Sequence, residues 1–304
     1  MPQTIKVPLT VPAKKRAQYR RNFQAATRGT GRLFLFAGDQ KVEHLNDDFF
    51  GPGLKPENND PDHFFKIASK APIGVFASQL GLIARYGADY PQVPYLIKIN
   101  SKTNLLKAAD SDSISSTWTT AAQVARFKRE SGLNVVGIGF TVYLGSNFEH
   151  EILAEASQAV IEAHQEGLLA VIWMYPRGKN IKNEEDIHLI AGAAGVALCL
   201  GADFVKVRYP YNASEETAKA FAEVTGAAGR CGVICVGGGK MAPLDFLKNL
   251  EQQRRFAGTR GNAVGRNLHQ YPLAEAIRMA KAINAVAIQG KTAAEGYKIF
   301  LGKK

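Results

Sequence analysis

Between Leu33 and Ala287, short runs of β-branched and aromatic residues alternate with longer amphipathic stretches, and no Ser- or Pro-rich linker interrupts them. Eight of the short runs read as strands: Leu33–Gly38, Gly74–Ala77, Tyr95–Ile99, Val135–Phe140, Leu169–Trp173, Asp203–Val207, Gly232–Val236 and Asn262–Val264. Strands alternating with helical crossovers predict a parallel sheet, and eight is the number that closes a (β/α)8 TIM barrel. A doubly wound open sheet and two fused βα units are the alternative topologies. The helices carry their own signals. Asn147 is placed to cap Phe148–Gln165, where Ile152, Ala156, Ala159, Val160 and Ala163 form an apolar stripe, and Ser214 followed by Glu215 and Glu216 reads as another helix start. The stretch Glu184–Leu200 reads as helical too. The pattern divides the chain into a barrel over residues 33–287, a basic N-terminal arm over 1–32 and a C-terminal tail over 288–304, both arms being expected to serve subunit contacts.

Composition changes this picture in two places. The chain has 304 residues and a formal net charge of +11. Lys6, Lys14, Lys15, Arg16, Arg20, Arg21, Arg28 and Arg32 all precede the first acidic residue, Asp39, so the excess is concentrated in the arm and not spread over the fold. No aromatic-studded basic groove accompanies these cations, which argues against a specific nucleic-acid partner. Pro2, Pro8 and Pro12 break an early amphipathic targeting helix. Cys199, Cys231 and Cys235 lie in apolar surroundings and read as buried free thiols of a reducing compartment, hence a cytoplasmic protein. No apolar run approaches the roughly 20 residues of a membrane span.

Polar residues collect where the apolar runs stop, which in a barrel is the face that carries chemistry. The first strand runs into Asp39, Gln40, Lys41, Glu43 and His44, the third into Lys98 and Asn100, the fifth into Trp173 and Tyr175, and the sixth into Lys206 and Arg208. The seventh enters Gly237-Gly238-Gly239-Lys240 and the eighth Gly265-Arg266-Asn267. Lys206 is the most telling of these residues. An amine drawn out of water inside a strand loses its preference for the charged form and becomes a nucleophile. The bland alternative is a strand-end lysine that snorkels or pairs with a carboxylate. Strand parity puts Phe204, Lys206 and Arg208 on one face and Val205 and Val207 on the other, so that Asp39, Lys98, Tyr175 and Lys206 can converge. Each has a structural alternative: a turn aspartate, a rim cation, a packed tyrosine and, for His44, a hydrogen-bonded core or loop histidine. Backbone donors in the loops after the seventh and eighth strands suit a phosphate. The six histidines are scattered, so no metal site is expected, and no organic cofactor motif is present.

The segments Gly38-Asp39-Gln40-Lys41-Val42-Glu43-His44, Pro94–Asn100, Val142–Ser146, Trp173-Met174-Tyr175-Pro176-Arg177-Gly178, Gly201–Lys206 and Gly265-Arg266-Asn267 occur in an order that resembles the archaeal-type class I fructose-1,6-bisphosphate aldolases, within the deoxyribose-phosphate-aldolase-like barrels. The resemblance covers about residues 30–285. It implies Lys206 as the Schiff-base lysine, Tyr175 as proton donor and acceptor, and Asp39 as a positioning and acid/base carboxylate. Trp173 would line the cleft with Gln40, His44, Lys98 and Arg208 as substrate neighbours, and Lys98 and Arg208 would favour a neutral Lys206 amine by like-charge repulsion. Gly237, Gly238, Gly239, Gly265 and Arg266 would hold the ketose C1 phosphate. A metal-free, reversible cleavage of fructose 1,6-bisphosphate in a homo-oligomer follows as the expected function. A transaldolase- or thiolase-like step on another phosphorylated ketose is the alternative, and a phosphate- or RNA-binding barrel without chemistry is a third. Two departures from the family pattern, Lys41 and Lys240, are expected to alter the charge around the far end of the substrate.

Overall fold

A computed structural model describes residues 5–105, 112–210 and 214–303. Residues 1–4 of the arm, Pro2 among them, and residue 304 of the tail lie outside the described residues. Eight parallel strands close on themselves: β1 (Leu33–Ala37), β2 (Val75–Gln79), β3 (Tyr95–Lys98), β4 (Val135–Leu144), β5 (Leu169–Pro176), β6 (Phe204–Val207), β7 (Gly232–Val236) and β8 (Gly261–Val264), with β8 pairing back to β1. Each expected strand is present. β4 and β5 run longer than expected, because their outer ends stay paired from Thr141 opposite Trp173 as far as Leu144 opposite Pro176.

The period-2 pattern separates two cores. Leu35, Ala77, Leu96, Val171, Trp173, Phe204, Ile234 and Ala263 fill the barrel interior. Phe36, Phe76, Ile97, Ile172, Val205 and Val207 pack between strands and helices. Branched side chains on the outer face thus bury against the helices, while Lys206, between Val205 and Val207, is turned inward. Asn100 ties β3 to β4 by donating to the Thr141 carbonyl at 2.8 Å and accepting the Thr141 N–H at 2.7 Å, which makes it a structural residue.

Five local features differ from the expectation. The basic arm folds back on its own barrel. Arg16–Thr27 is a helix whose Tyr19 and Ala26 join Val11 in the inner core cluster, while Phe23 stacks on Phe204. Tyr19 donates to Asp203 Oδ1 at 2.5 Å, and Asn22 donates to the Gly167 carbonyl at 2.7 Å. In the tail, Ala293–Phe300 is likewise helical, and Tyr297 and Phe300 pack against the outer core. Asn147 does not cap its helix; that helix begins at Glu149, and the Asn147 N–H is taken by Asp112. The helix before β6 begins at Ile187, capped by Asp186, which leaves Glu184 in a loop. Cys231 and Cys235 are buried, but Cys199 is exposed at its helix end.

Candidate active site

At the C-terminal ends of the strands lies a cleft of 210 Å³. β6 ends beside it, and Lys206 is 6% exposed with its amine in the cleft wall. The parallel register sets Lys206 directly opposite Trp173 on β5, and the ammonium nitrogen lies 4.8 Å from the centroid of the indole. Lys98, whose side chain is fully buried, brings a second amine to 5.5 Å from the same ring. That amine donates to the Asn100 carbonyl at 2.8 Å and has Glu43 Oε1 at 3.9 Å. Burial pushes the Lys98 ammonium down, and the Lys206 charge adds to this, against the opposing pull of Glu43 and Asp39. No carboxylate pairs with the Lys206 amine among the described residues. The salt-bridged alternative for this lysine therefore finds no support among the described residues.

Asp39 precedes the short turn Gln40–Glu43 at the end of β1 and is 1% exposed, yet among the described residues neither carboxylate oxygen has a hydrogen-bond partner. A buried, unsatisfied carboxylate is costly unless something is meant to bind it. Tyr175 faces Asp39 across the cleft, with Tyr143 stacked 6.4 Å away. Burial first, then the negative charges of Glu43 and Asp39, raise the Tyr175 phenol well above its ordinary pKa, so it holds its proton at neutral pH. Glu43 also lines the cleft. Burial and the adjacent Asp39 push its carboxyl up, against Lys98, Lys206 and His44. It was missed as a site residue, although the spacing of four from Asp39 on a helical turn was a signal that the two share a face.

Backbone dominates the far side of the cleft. Gly237, Gly238, Gly239 and Gly265 line it together with Gln40 and Arg266. Gly238 sits at φ +64°, a conformation that disfavours a side chain. Asn267 locks the loop by donating to the carbonyls of Gly237 and Gly239 at 2.9 and 2.8 Å and accepting the Met241 N–H at 2.9 Å. His44 is also in the wall, with Nδ1 2.5 Å from Asp48 Oδ2, and Asp48 Oδ1 lies 3.8 Å from Arg266 Nη1.

Three expectations change here. Trp173 and Lys98 do not line the cleft; they form the layer beneath it, because inward-facing residues of a barrel stack in depth as well as in direction. Arg208 lines the cleft, but its guanidinium is taken by Glu184 at 2.8 Å and Glu185 at 3.1 Å, so it does not act on Lys206 as an uncompensated like charge. Lys41 bonds Asn46 and covers Phe49, and Lys240 bonds the Gln270 carbonyl above Tyr271. Both point away from the cleft. A further cation in its wall is Arg177, over the faces of Tyr175 and Tyr143. A larger hollow of 470 Å³ lies at the opposite end of the barrel, but there Tyr19 and Asp203 satisfy each other.

The Lys206 amine at the end of β6 and the glycine-lined wall after β7 and β8 share one cleft, an arrangement that suits a carbonyl compound carrying an anionic tail. This places the chain among the (β/α)8 barrels that can work on carbon skeletons through a lysine. It belongs to the DeoC/LacD family of aldolases, whose family model matches residues 33–271. The chain is 53% identical to the fructose-bisphosphate aldolase/6-deoxy-5-ketofructose 1-phosphate synthase of Methanocaldococcus jannaschii, over 99% of this chain and 96% of that one. It is 31% identical to a class 1 fructose-bisphosphate aldolase of Thermoproteus tenax, over 87% and 93% of the two chains. Among solved structures, a fructose-bisphosphate aldolase from Slackia heliotrinireducens superposes with a TM-score of 0.96 at 50% identity, over 99% of this chain and 95% of that one. An archaeal fructose-1,6-bisphosphate aldolase with its catalytic Lys bound to the carbinolamine intermediate superposes with a TM-score of 0.75 at 29% identity, over 90% of this chain and all of that one.

Proposed function

We propose that this protein is a class I, metal-independent aldolase that reversibly cleaves fructose 1,6-bisphosphate to dihydroxyacetone phosphate and glyceraldehyde 3-phosphate, with Lys206 as the Schiff-base residue. The observation that carries the reading is a buried, unpaired Lys206 amine set against Trp173 in the same cleft as an unsatisfied Asp39 and a glycine-lined anion site. The Lys206 amine adds to the C2 carbonyl, and loss of water gives a protonated imine. The C3–C4 electrons flow into that imine as the bond breaks, while the Asp39 carboxylate accepts the proton of the C4 hydroxyl and the aldehyde leaves. Protonation of the remaining enamine at C3, followed by hydrolysis, frees the ketone and the amine. Tyr175, which holds its proton, is the donor at C3, and Asp39 orients the hydroxyls. Gly237–Gly239, Gly265 and Arg266 fix the C1 phosphate, while Arg177 and Arg208 stand at the far end as partners for a distal phosphate.

The name of the M. jannaschii relative adds a second reading, in which a ketose with a single phosphate at C1 is made at the same lysine. The glycine-loop subsite serves both readings, because each keeps that phosphate. We further read the chain as a cytoplasmic homo-oligomer. The exposed Leu9 and Phe50, 91% and 69% accessible, support a subunit contact, and the buried free thiols Cys231 and Cys235 support a reducing compartment. Among the described residues no helix is long and apolar enough to cross a membrane. The purified protein incubated with fructose 1,6-bisphosphate and EDTA should release both triose phosphates at the rate seen without chelator; abolition by EDTA would overturn the metal-free assignment.

A further inference from the structure

Arg177 and Arg208 come from different strand ends, and a single side chain behind them ties them together. Glu184 Oε1 accepts from Arg177 Nε at 2.8 Å, Glu184 Oε2 accepts from Arg177 Nη2 at 2.8 Å, and the same Oε2 accepts from Arg208 Nη1 at 2.8 Å. Arg208 Nε adds Glu185 at 3.1 Å. Both arginines line the cleft and Glu184 does not, so the acid holds them from the rear. Burial works against its charge, but the hydrogen bonds and charges of Arg177 and Arg208 outweigh that and keep the Glu184 carboxyl below its usual range. A planar guanidinium gripped along one edge keeps its remaining N–H groups aimed in a fixed direction. Among the described residues Arg177 has no other acid partner in an ion pair, and its guanidinium carbon lies over the rings of Tyr175 and Tyr143.

We propose that Glu184 is a positioning residue for recognition of the distal phosphate: it sets the two guanidiniums as one fixed fork, and through them decides between phosphorylated and neutral aldehydes. This rests on the aldolase reading above and assigns to that cleft a specificity determinant on the loop after β5. Among the described residues the ion-paired group holds four charges, two of each sign, with Lys102 beside it over Tyr143, so the aim of the paired N–H groups and not the charge of that group is what a phosphate would meet. Substitution of Glu184 adds positive charge to the edge. An account by net charge therefore expects tighter phosphate binding in the variant, and an account by positioning expects weaker.

The test is Glu184→Gln, assayed in the condensation direction with dihydroxyacetone phosphate and either glyceraldehyde 3-phosphate or glyceraldehyde. The expected result is a KM for glyceraldehyde 3-phosphate raised about tenfold, the scale of one lost charge-assisted hydrogen bond. The KM for glyceraldehyde should move by no more than about twofold. Dihydroxyacetone phosphate has no distal phosphate, so borohydride trapping of it reports on folding and on the lysine independently of this edge. An unchanged or lowered KM for glyceraldehyde 3-phosphate would overturn the inference, as would equal losses with both aldehydes. If the unsubstituted protein fails to trap dihydroxyacetone phosphate, the aldolase reading itself falls, an outcome distinct from either.

Discussion

The strand β6 and the residue that precedes it carry a charged side chain at each end of the barrel, and the two ends treat their charges in opposite ways. At the bottom, Asp203 is saturated. It accepts from Tyr19 at 2.5 Å and from the Ala170 N–H at 2.8 Å, and it lies 3.3 Å from His164, which in turn meets Thr10 at 2.6 Å. Three residues further on, Lys206 faces an open cleft with Trp173 beneath it and with the two oxygens of Asp39 unpartnered in the same wall. A satisfied polar cluster locks structure, whereas an unsatisfied one stores binding capacity for a molecule that is not part of the chain. The comparison separates residues that hold the barrel shut from residues set to meet a substrate.

Substitutions at the mouth should break activity without unfolding the protein. Lys206→Ala should lower aldol cleavage by roughly 10⁴-fold or more while leaving the thermal transition in place, as measured by a coupled triose-phosphate assay beside circular dichroism. Tyr175→Phe should cost about 10² to 10⁴-fold, read chiefly in kcat because the phenol acts in proton transfer. Asp39→Asn should cost about 10²-fold and, by removing an unsatisfied buried charge, leave stability equal or higher in denaturant melts.

The bottom should answer in the other currency. Tyr19→Phe should lose about 1.5–3 kcal/mol of stability, the scale of a hydrogen bond to a charged group, and leave kcat/KM per folded molecule unchanged. A loss of activity larger than the loss of folded protein would erase the contrast between the two ends. A smaller effect concerns pH. His269 is buried against Phe49 and Phe64, neither ring nitrogen has a partner among the described residues, and burial depresses its pKa from 6.5 to about 3. The unfolded chain therefore binds a proton that the folded chain refuses between those values. The stability from this group is complete above pH 6.5 and is lost as pH falls toward 3, with a slope of at most about 1.4 kcal/mol per pH unit. In His269→Phe, urea midpoints measured over that range should fall less steeply than in the parent protein.

Much of this was legible in the sequence because strand parity is a strict rule. The eight strands, the inward turn of Lys206 and the convergence of Asp39, Tyr175 and Lys206 on one cleft all follow from alternation and from the polar ends of the runs. Parity states a face and not a depth, which is why Trp173 and Lys98, read as cleft residues, lie one layer beneath it. The N-terminal helix was obscured by its charge. Tyr19, Asn22, Phe23 and Ala26 recur at helical spacing on the face turned to the barrel, but Arg16, Arg20 and Arg21 and the lysines ahead of them dominate the composition and suggest a solvated arm. Glu184 was invisible for a different reason, since an acid ahead of a helix reads as a first-turn residue until the loop places it behind Arg177 and Arg208. Lys41 and Lys240 look like cleft cations in sequence and are drawn off by local acceptors and aromatic faces.

The most direct measurement is borohydride reduction of the protein in the presence of dihydroxyacetone phosphate, followed by peptide mass mapping. One stable adduct per chain, carried by the peptide containing Lys206 and absent from the Lys206→Ala protein, is the expected result. An adduct on Lys98 or elsewhere, or labelling that persists without Lys206, would contradict the assignment of that lysine as the covalent centre.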